Sequence, residues 1–167
     1  AYNCFFTSIR NNSCTIVENP LRRIDCGDSF TYVIDFESLE TVCADPANKL
    51  LILCNPHNPT GRIWTREELE RIAAICHRHG VTVVSDEIHC ELTLPGREYV
   101  PYATIDPDAV VCCSPSKAFN IAGLQIANIV APSEPVRAVI DRAINDNEVC
   151  DVNPFGVVAL ISAYTTG

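Results

Sequence analysis

At 167 residues, 47% of them hydrophobic, the chain is long enough to bury one core, which makes a single compact α/β unit the expectation. Its formal charge of −9, with no cluster among 12 basic residues, excludes a polyanion partner, because nucleic-acid binding needs a concentrated basic face. Apolar runs such as Leu50 to Cys54 fall well short of the roughly 20 residues a membrane helix requires, and no charged-then-apolar leader is present.

The first 48 residues carry the weakest periodicity. Thr15 to Val17 and Phe30 to Ile34 read as strands, and Phe36 to Val42 as a short helix. Leu50 to Cys54 is an apolar run of strand length. The clearest helix covers residues 66–79, where Leu69, Ile72, Ala73 and Cys76 recur on one face. Thr65 with Glu68 is a capping pair, Trp64 is placed to staple onto Leu69, and Gly80 fits the left-handed position that closes a helix. Val81 to Ser85 then completes a strand, helix, strand unit whose crossover implies parallel pairing. Ala109 to Cys113 and Ile126 to Ala131 read as further buried strands, followed by helices at 134–145 and 155–164. The absence of any Met, and ends that cut into ordered patterns, point to residues 1–167 as part of a longer protein.

Ten cysteines raise the question of a disulfide scaffold, but no C-x-x-C pair occurs and several lie within predicted strands and helices. Buried free thiols in a reducing cytoplasm are the simpler expectation, with no metal site. His57, His77 and His79 read as surface residues; the last two are two apart on a helix and make a poor metal pair.

Three polar clusters each follow directly on a predicted strand: Asn55 to Gly61 (NPHNPTG), Asp86 to His89 (DEIH) and Ser114 to Asn120 (SPSKAFN). In an open parallel sheet the carboxyl ends of the strands form one edge, and ligands bind there. Taken singly, each cluster has a bland reading: a Pro-rich turn, a solvated acidic pair, a surface lysine. Together they define one site. Of the two lysines, Lys49 precedes its strand and falls at the opposite edge, whereas Lys117 lies on the ligand edge. A lysine that condenses with a carbonyl needs a partly desolvated position, since only the neutral amine attacks. Asp86 puts a carboxylate on the floor of the same cleft, and Asn58 offers an amide donor between two prolines. His89 lies three residues beyond Asp86, and Ser114 and Ser116 flank Lys117 closely enough for their hydroxyls to reach a phosphate.

In this order and with these gaps, NPHNPTG, SDEIH and SPSKAFNIAG resemble the fold-type I pyridoxal phosphate enzymes, the class I and II aminotransferase family. Within it they most resemble the C–S lyase branch of cystathionine β-lyase and PatB/MalY-like proteins. The resemblance covers essentially the whole chain. It implies the central part of the large, cofactor-binding domain, a mostly parallel sheet flanked by helices, with the N-terminal phosphate loop and C-terminal small domain missing. It also implies roles: Lys117 as the residue bound to pyridoxal 5′-phosphate, Asp86 as partner of the ring nitrogen, and Asn58, helped by His89, as contact of the phenolate oxygen. Ser114 and Ser116 would meet the phosphate, Tyr2 would stack on the ring, and the Asn58–Pro59 bond is expected to be cis.

His89, where many aminotransferases have Tyr, favours the lyase branch. Gln125 stands where many carry a phosphate-binding Arg, and an amide is a weaker phosphate partner than a guanidinium. The implied activity is β-elimination from a cysteine-type amino acid, in a cytoplasmic homodimer with no nucleic-acid or membrane partner. An aminotransferase with the same residues is the nearest alternative, and a non-catalytic cofactor-binding regulatory domain is one of another class. None of seven glycines forms a G-x-G pair, which disfavours a nicotinamide dehydrogenase.

Overall fold

The computed structural model describes residues 2–149 and 152–167. In chain order its first elements are α1 (Asn3–Asn11), the antiparallel hairpin β1 (Arg22–Cys26) and β2 (Ser29–Val33), and α2 (Phe36–Ala44). Then come β3 (Leu50–Cys54), α3 (Arg66–His79), β4 (Thr82–Asp86), β5 (Val110–Cys113), β6 (Asn128–Val130), α4 (Glu134–Asp146) and α5 (Pro154–Thr166).

The central sheet runs β3-β4-β5-β6, with two parallel pairings and an antiparallel last one. Its register sets Cys54 opposite Asp86, Asp86 opposite Cys112, and Cys113 opposite Asn128. All three polar clusters therefore emerge along one edge, the arrangement that the strand, helix, strand pattern predicts.

The core is built from the inner faces of the two best-patterned helices and the middle of the sheet. Leu39 and Cys43 of α2 meet Leu69, Ile72, Ile75 and Cys76 of α3 over Leu53, Val83 and Val111. Each such side chain contributes about 1.5–3 kcal/mol when taken out of water. The α3 ends carry the anticipated signals. The Thr65 hydroxyl accepts from the Glu68 N–H at 3.2 Å while the Glu68 carboxylate accepts from the Thr65 N–H at 2.8 Å, and Gly80 closes the helix at φ 64°. Trp64, 1% exposed, joins the same cluster as Leu69 and donates its indole N–H to the Cys54 carbonyl at 2.8 Å. Its polar atom is thereby satisfied inside the core.

Some expectations change. Thr15 to Val17 forms no strand, because β-propensity without a neighbouring strand to pair with leaves the backbone extended but unladdered. Neither α1 nor β1 was anticipated: Tyr2, the residue that precedes α1, makes no side-chain cap bond, the first turn has no acid, and every β1 residue is exposed. The 126–131 segment is a strand only over β6; its ends Ile126 and Ala131 are buried as expected, but Ile129 and Val130 sit at a sheet edge and are 50% and 41% exposed. The nine described cysteines are free as expected, yet Cys4, Cys14 and Cys26 are exposed, lying on or near α1 and β1, outside the core cluster.

The capping box gives a direct test. Replacing Thr65 by Ala in the full-length protein should lower unfolding free energy by about 1 kcal/mol with an unchanged denaturant slope. Urea titration followed by circular dichroism checks this.

Candidate active site

The site begins with period-two alternation in β4. Val83, Ser85 and the following Glu87 point into the protein, at 1%, 0% and 2% exposure, so Asp86 points the other way, toward the open side of the strand ends. Burial pushes the Asp86 carboxyl up from its ordinary range, and the Ile88 N–H, His89 and Lys117 pull against that shift. The Ile88 N–H donates to Asp86 Oδ1 at 3.2 Å. Asp86, His89 and Lys117, from two different clusters, are thus electrostatic neighbours. Tyr2 is exposed and stacks edge-on with Phe5; its phenol is pushed up first by Cys4, with a smaller push from the Asp86 carboxylate.

The NPHNPTG loop is wound around the end of β3. The Asn55 N–H continues the ladder to the Asp86 carbonyl at 2.9 Å, and the Asn55 amide donates to the Val100 carbonyl at 3.1 Å. The buried Cys54 thiol donates to the Pro56 carbonyl and accepts from the Asn58 N–H at 3.4 Å, which fixes the Asn58 backbone. The Asn58–Pro59 bond is cis as expected, and so is Asn55–Pro56. Gly61 turns the chain at φ 69° so that the His57 N–H meets the Arg62 carbonyl at 2.7 Å. Asn58 and His89 face a cleft of about 560 Å³, which His57, Arg62, Leu92, Leu94 and Arg97 also line.

Lys117 and its neighbours follow β5. The Ser114 hydroxyl donates to the Ile126 carbonyl at 2.6 Å and accepts from the Ser116 N–H at 3.1 Å. Since Ser114 has one proton and it is committed, the 2.6 Å contact between the two hydroxyls has Ser116 as donor. Both serines are buried and bind each other, so each must rotate before it can donate to a phosphate. Lys117 rides on the turn above them and is exposed, where the sequence predicts a partly desolvated amine; the turn lifts it to the rim rather than into the sheet. Gln125, in the left-handed region at φ 49°, is exposed and brings no charge to this end.

Three residues, His57, His79 and Glu87, differ from the sequence expectation. His57 is not a surface residue: it is half-buried against Trp64 with its Nδ1 2.9 Å from the Thr60 hydroxyl, and burial pushes its imidazole down, keeping it neutral at pH 7. His77 is exposed as anticipated, and His79 is half-buried against Glu40 at 2.6 Å. Glu87 is the larger surprise. It accepts from the Ser85 hydroxyl at 2.8 Å, the Tyr102 N–H at 2.9 Å and the Tyr99 hydroxyl, and so ties residues 99–102 to the end of β4. Burial pushes its carboxyl up and these donors pull it back. The signal was present in the two-residue spacing from Ser85 and Val83.

Among the described residues no His, Cys, Asp and Glu group of three or more forms a metal cage, and no helix is long and apolar enough to cross a membrane. A carboxylate held beside an amine, an amide donor in the cleft that His89 also lines, and hydroxyls at the next strand end are the donor set a phosphorylated pyridine aldehyde requires.

The sheet order, the edge site and this donor set define a pyridoxal phosphate-dependent transferase fold, and comparison with known proteins agrees. The family model described as aminotransferase class I and II matches residues 6–164, so the chain belongs to that family. It is 44% identical over 170 residues to cystathionine β-lyase PatB of Bacillus subtilis, covering 99% of this chain and 43% of PatB. The structure of cystalysin from Treponema denticola, which contains a pyridoxal 5′-phosphate cofactor, superposes with a TM-score of 0.88 at 34% identity, covering 100% of this chain and 43% of that one. The pyridoxal phosphate-bound C–S lyase of Staphylococcus hominis gives 0.87 at 35% identity, covering 100% and 41%. The chain therefore spans less than half the length of these relatives.

Two outcomes follow from the carboxylates. Glu87→Ala in the full-length protein strands three buried donors and should cost about 3 kcal/mol, whereas Glu87→Gln, which keeps two acceptor contacts, should cost about half that or less; chemical denaturation separates them. Asp86 behaves oppositely. Because the folded chain holds its proton more tightly than the unfolded chain, stability is lost as pH rises through the carboxyl range. Cofactor-free Asp86→Asn should melt above the cofactor-free parent at pH 7, the gap closing below about pH 3.9, as read by calorimetry.

Proposed function

We propose that residues 1–167 are the central piece of the cofactor domain of a pyridoxal phosphate-dependent C–S β-lyase acting on cysteine-type amino acids. In this reading the phosphate loop and the small domain come from sequence outside this chain, and the enzyme works as a cytoplasmic homodimer. The observation that carries it is the convergence of Asp86, His89 and Lys117 at one sheet edge. The names of the relatives, PatB and the two pyridoxal phosphate-containing structures among them, support it.

Pyridoxal phosphate, when bound, supplies an electron sink that acidifies the α-C–H bond of an amino acid. The chain's own groups divide the remaining work. Lys117 Nζ would hold the cofactor covalently and, once displaced by the substrate amine, take the α-proton. The Asp86 carboxylate would keep a proton on the ring nitrogen, a task for which its lack of solvent is an advantage, since a fixed charge is stronger in low dielectric. The Asn58 amide would donate to the phenolate oxygen with His89 beside it, and Tyr2 would cover a ring face. Ser114 and Ser116 would turn from each other to the phosphate.

With the α-proton on Lys117, the Cβ–S bond breaks and the sulfur leaves as thiolate with the bonding pair. Lys117 would then displace the product's amino group and take the cofactor back, and the freed 2-aminoacrylate would hydrolyse to pyruvate and ammonia. His89 favours this outcome over amino transfer, the alternative in which the amino group stays behind and a keto acid leaves.

Borohydride reduction of the loaded full-length enzyme, followed by peptide mapping, should place the adduct on Lys117 and not on Lys49. Lys117→Ala should abolish pyruvate release from L-cystathionine, and Asp86→Asn should lower it by about two orders of magnitude. An adduct on Lys49, or keto acid without free thiol, would reject the lyase.

A further inference from the structure

We propose that Arg97 is a specificity-determining residue, binding the distal carboxylate of a thioether amino acid in the cleft beside Asn58 and His89. This deepens the lyase reading and rests on it. The cleft has two guanidiniums, from Arg62 and Arg97. Arg62 is already occupied: it pairs with Glu68 at 2.6 Å and lies over the Trp64 ring at 4.9 Å. Among the described residues no carboxylate lies within 4.0 Å of the Arg97 guanidinium. The acids on the same segment, Glu91 and Glu98, do not line the cleft. In a chain of net charge −9, this is a local cation facing the candidate site.

Its setting is apolar. Leu92 and Leu94, 55% and 73% exposed, lie between His89 and Arg97 along the segment. Apolar surface ending in a cation matches a carbon and sulfur chain that ends in an anion, where the thioether buries its methylenes and the guanidinium takes the carboxylate in a forked contact. The segment is also held in place. The Cys90 and Leu92 N–H groups bond to the Glu87 and His89 carbonyls at 3.0 Å, the Arg97 N–H bonds to the Leu94 carbonyl at 3.0 Å across Gly96 at φ 78°, and Glu87 grips Tyr99 beyond. An anion need not order a free loop in order to bind, which lowers the cost of binding. The cofactor phosphate is the competing anion, but Ser114 and Ser116, the hydroxyls suited to it, lie after β5 and do not line this cleft.

The test uses the loaded full-length enzyme and its Arg97→Gln and Arg97→Lys variants. Binding is read by visible difference spectra with 2-aminooctanedioate and 2-aminooctanoate, which have equal length, differ only in the distal carboxylate and cannot lose a thiolate. Arg97→Gln should remove a preference of about tenfold or more for the diacid, and Arg97→Lys should restore part of it. In turnover, Arg97→Gln should cut kcat/KM for L-cystathionine about 10- to 100-fold, leaving S-ethyl-L-cysteine within about threefold. Equal losses on both ligands, no loss on either, or weakened pyridoxal phosphate binding without a change in preference would overturn the assignment. If the parent enzyme cleaves neither thioether, the lyase reading fails separately, and the diacid preference still decides what Arg97 binds.

Discussion

Parallel pairing of β3, β4 and β5 is the constraint on which the rest of the structure depends. Parallel neighbours cannot be joined by a tight turn, so α3 must cross over between β3 and β4, and its apolar face then has the sheet to pack against. The same geometry brings the carboxyl ends of three strands to one edge. The clusters that hold Asn58, Asp86 and Lys117, far apart in sequence, thus leave the sheet at the same edge without any of the three being needed for the core.

The end of β4 shows how the chain reconciles stability with chemistry. Successive residues face opposite ways, so Glu87 is satisfied by three donors inside the protein while Asp86 is left toward the cleft with one backbone N–H. Glu87 holds the structure together. Asp86 costs it stability when ionised, because burial leaves the charge short of water. Neighbouring carboxylates thus take different roles through environment alone.

The serines beside Lys117 add a second economy. By bonding to each other and to the Ile126 carbonyl, they join the turn after β5 to the approach of β6, which holds the lysine's base in place. Cystalysin and the Staphylococcus hominis C–S lyase share this architecture across the whole of the chain at 34% and 35% identity.

Sequence alone determined the elements whose signals are local. The cap, staple and closing glycine of α3 act within a few residues of it, and an apolar run bounded by polar turns is enough to mark β3, β4 and β5. The order of the polar clusters after those strands then located the candidate site, because strand direction in a crossover unit is fixed before any packing is known. Tertiary structure decided whatever depended on a distant partner. Thr15 to Val17 found no strand to pair with, β6 ran antiparallel at an edge, and His57 was buried by Trp64 rather than by its own neighbours. Glu87 became an anchor only because Tyr99 and Tyr102 returned to it, and Arg97 gained a function to propose only because its loop folded back beside Asn58. A side chain's local preference is written in its neighbours along the chain, but its burial and its charge partners are set by contacts that form only when the chain closes on itself.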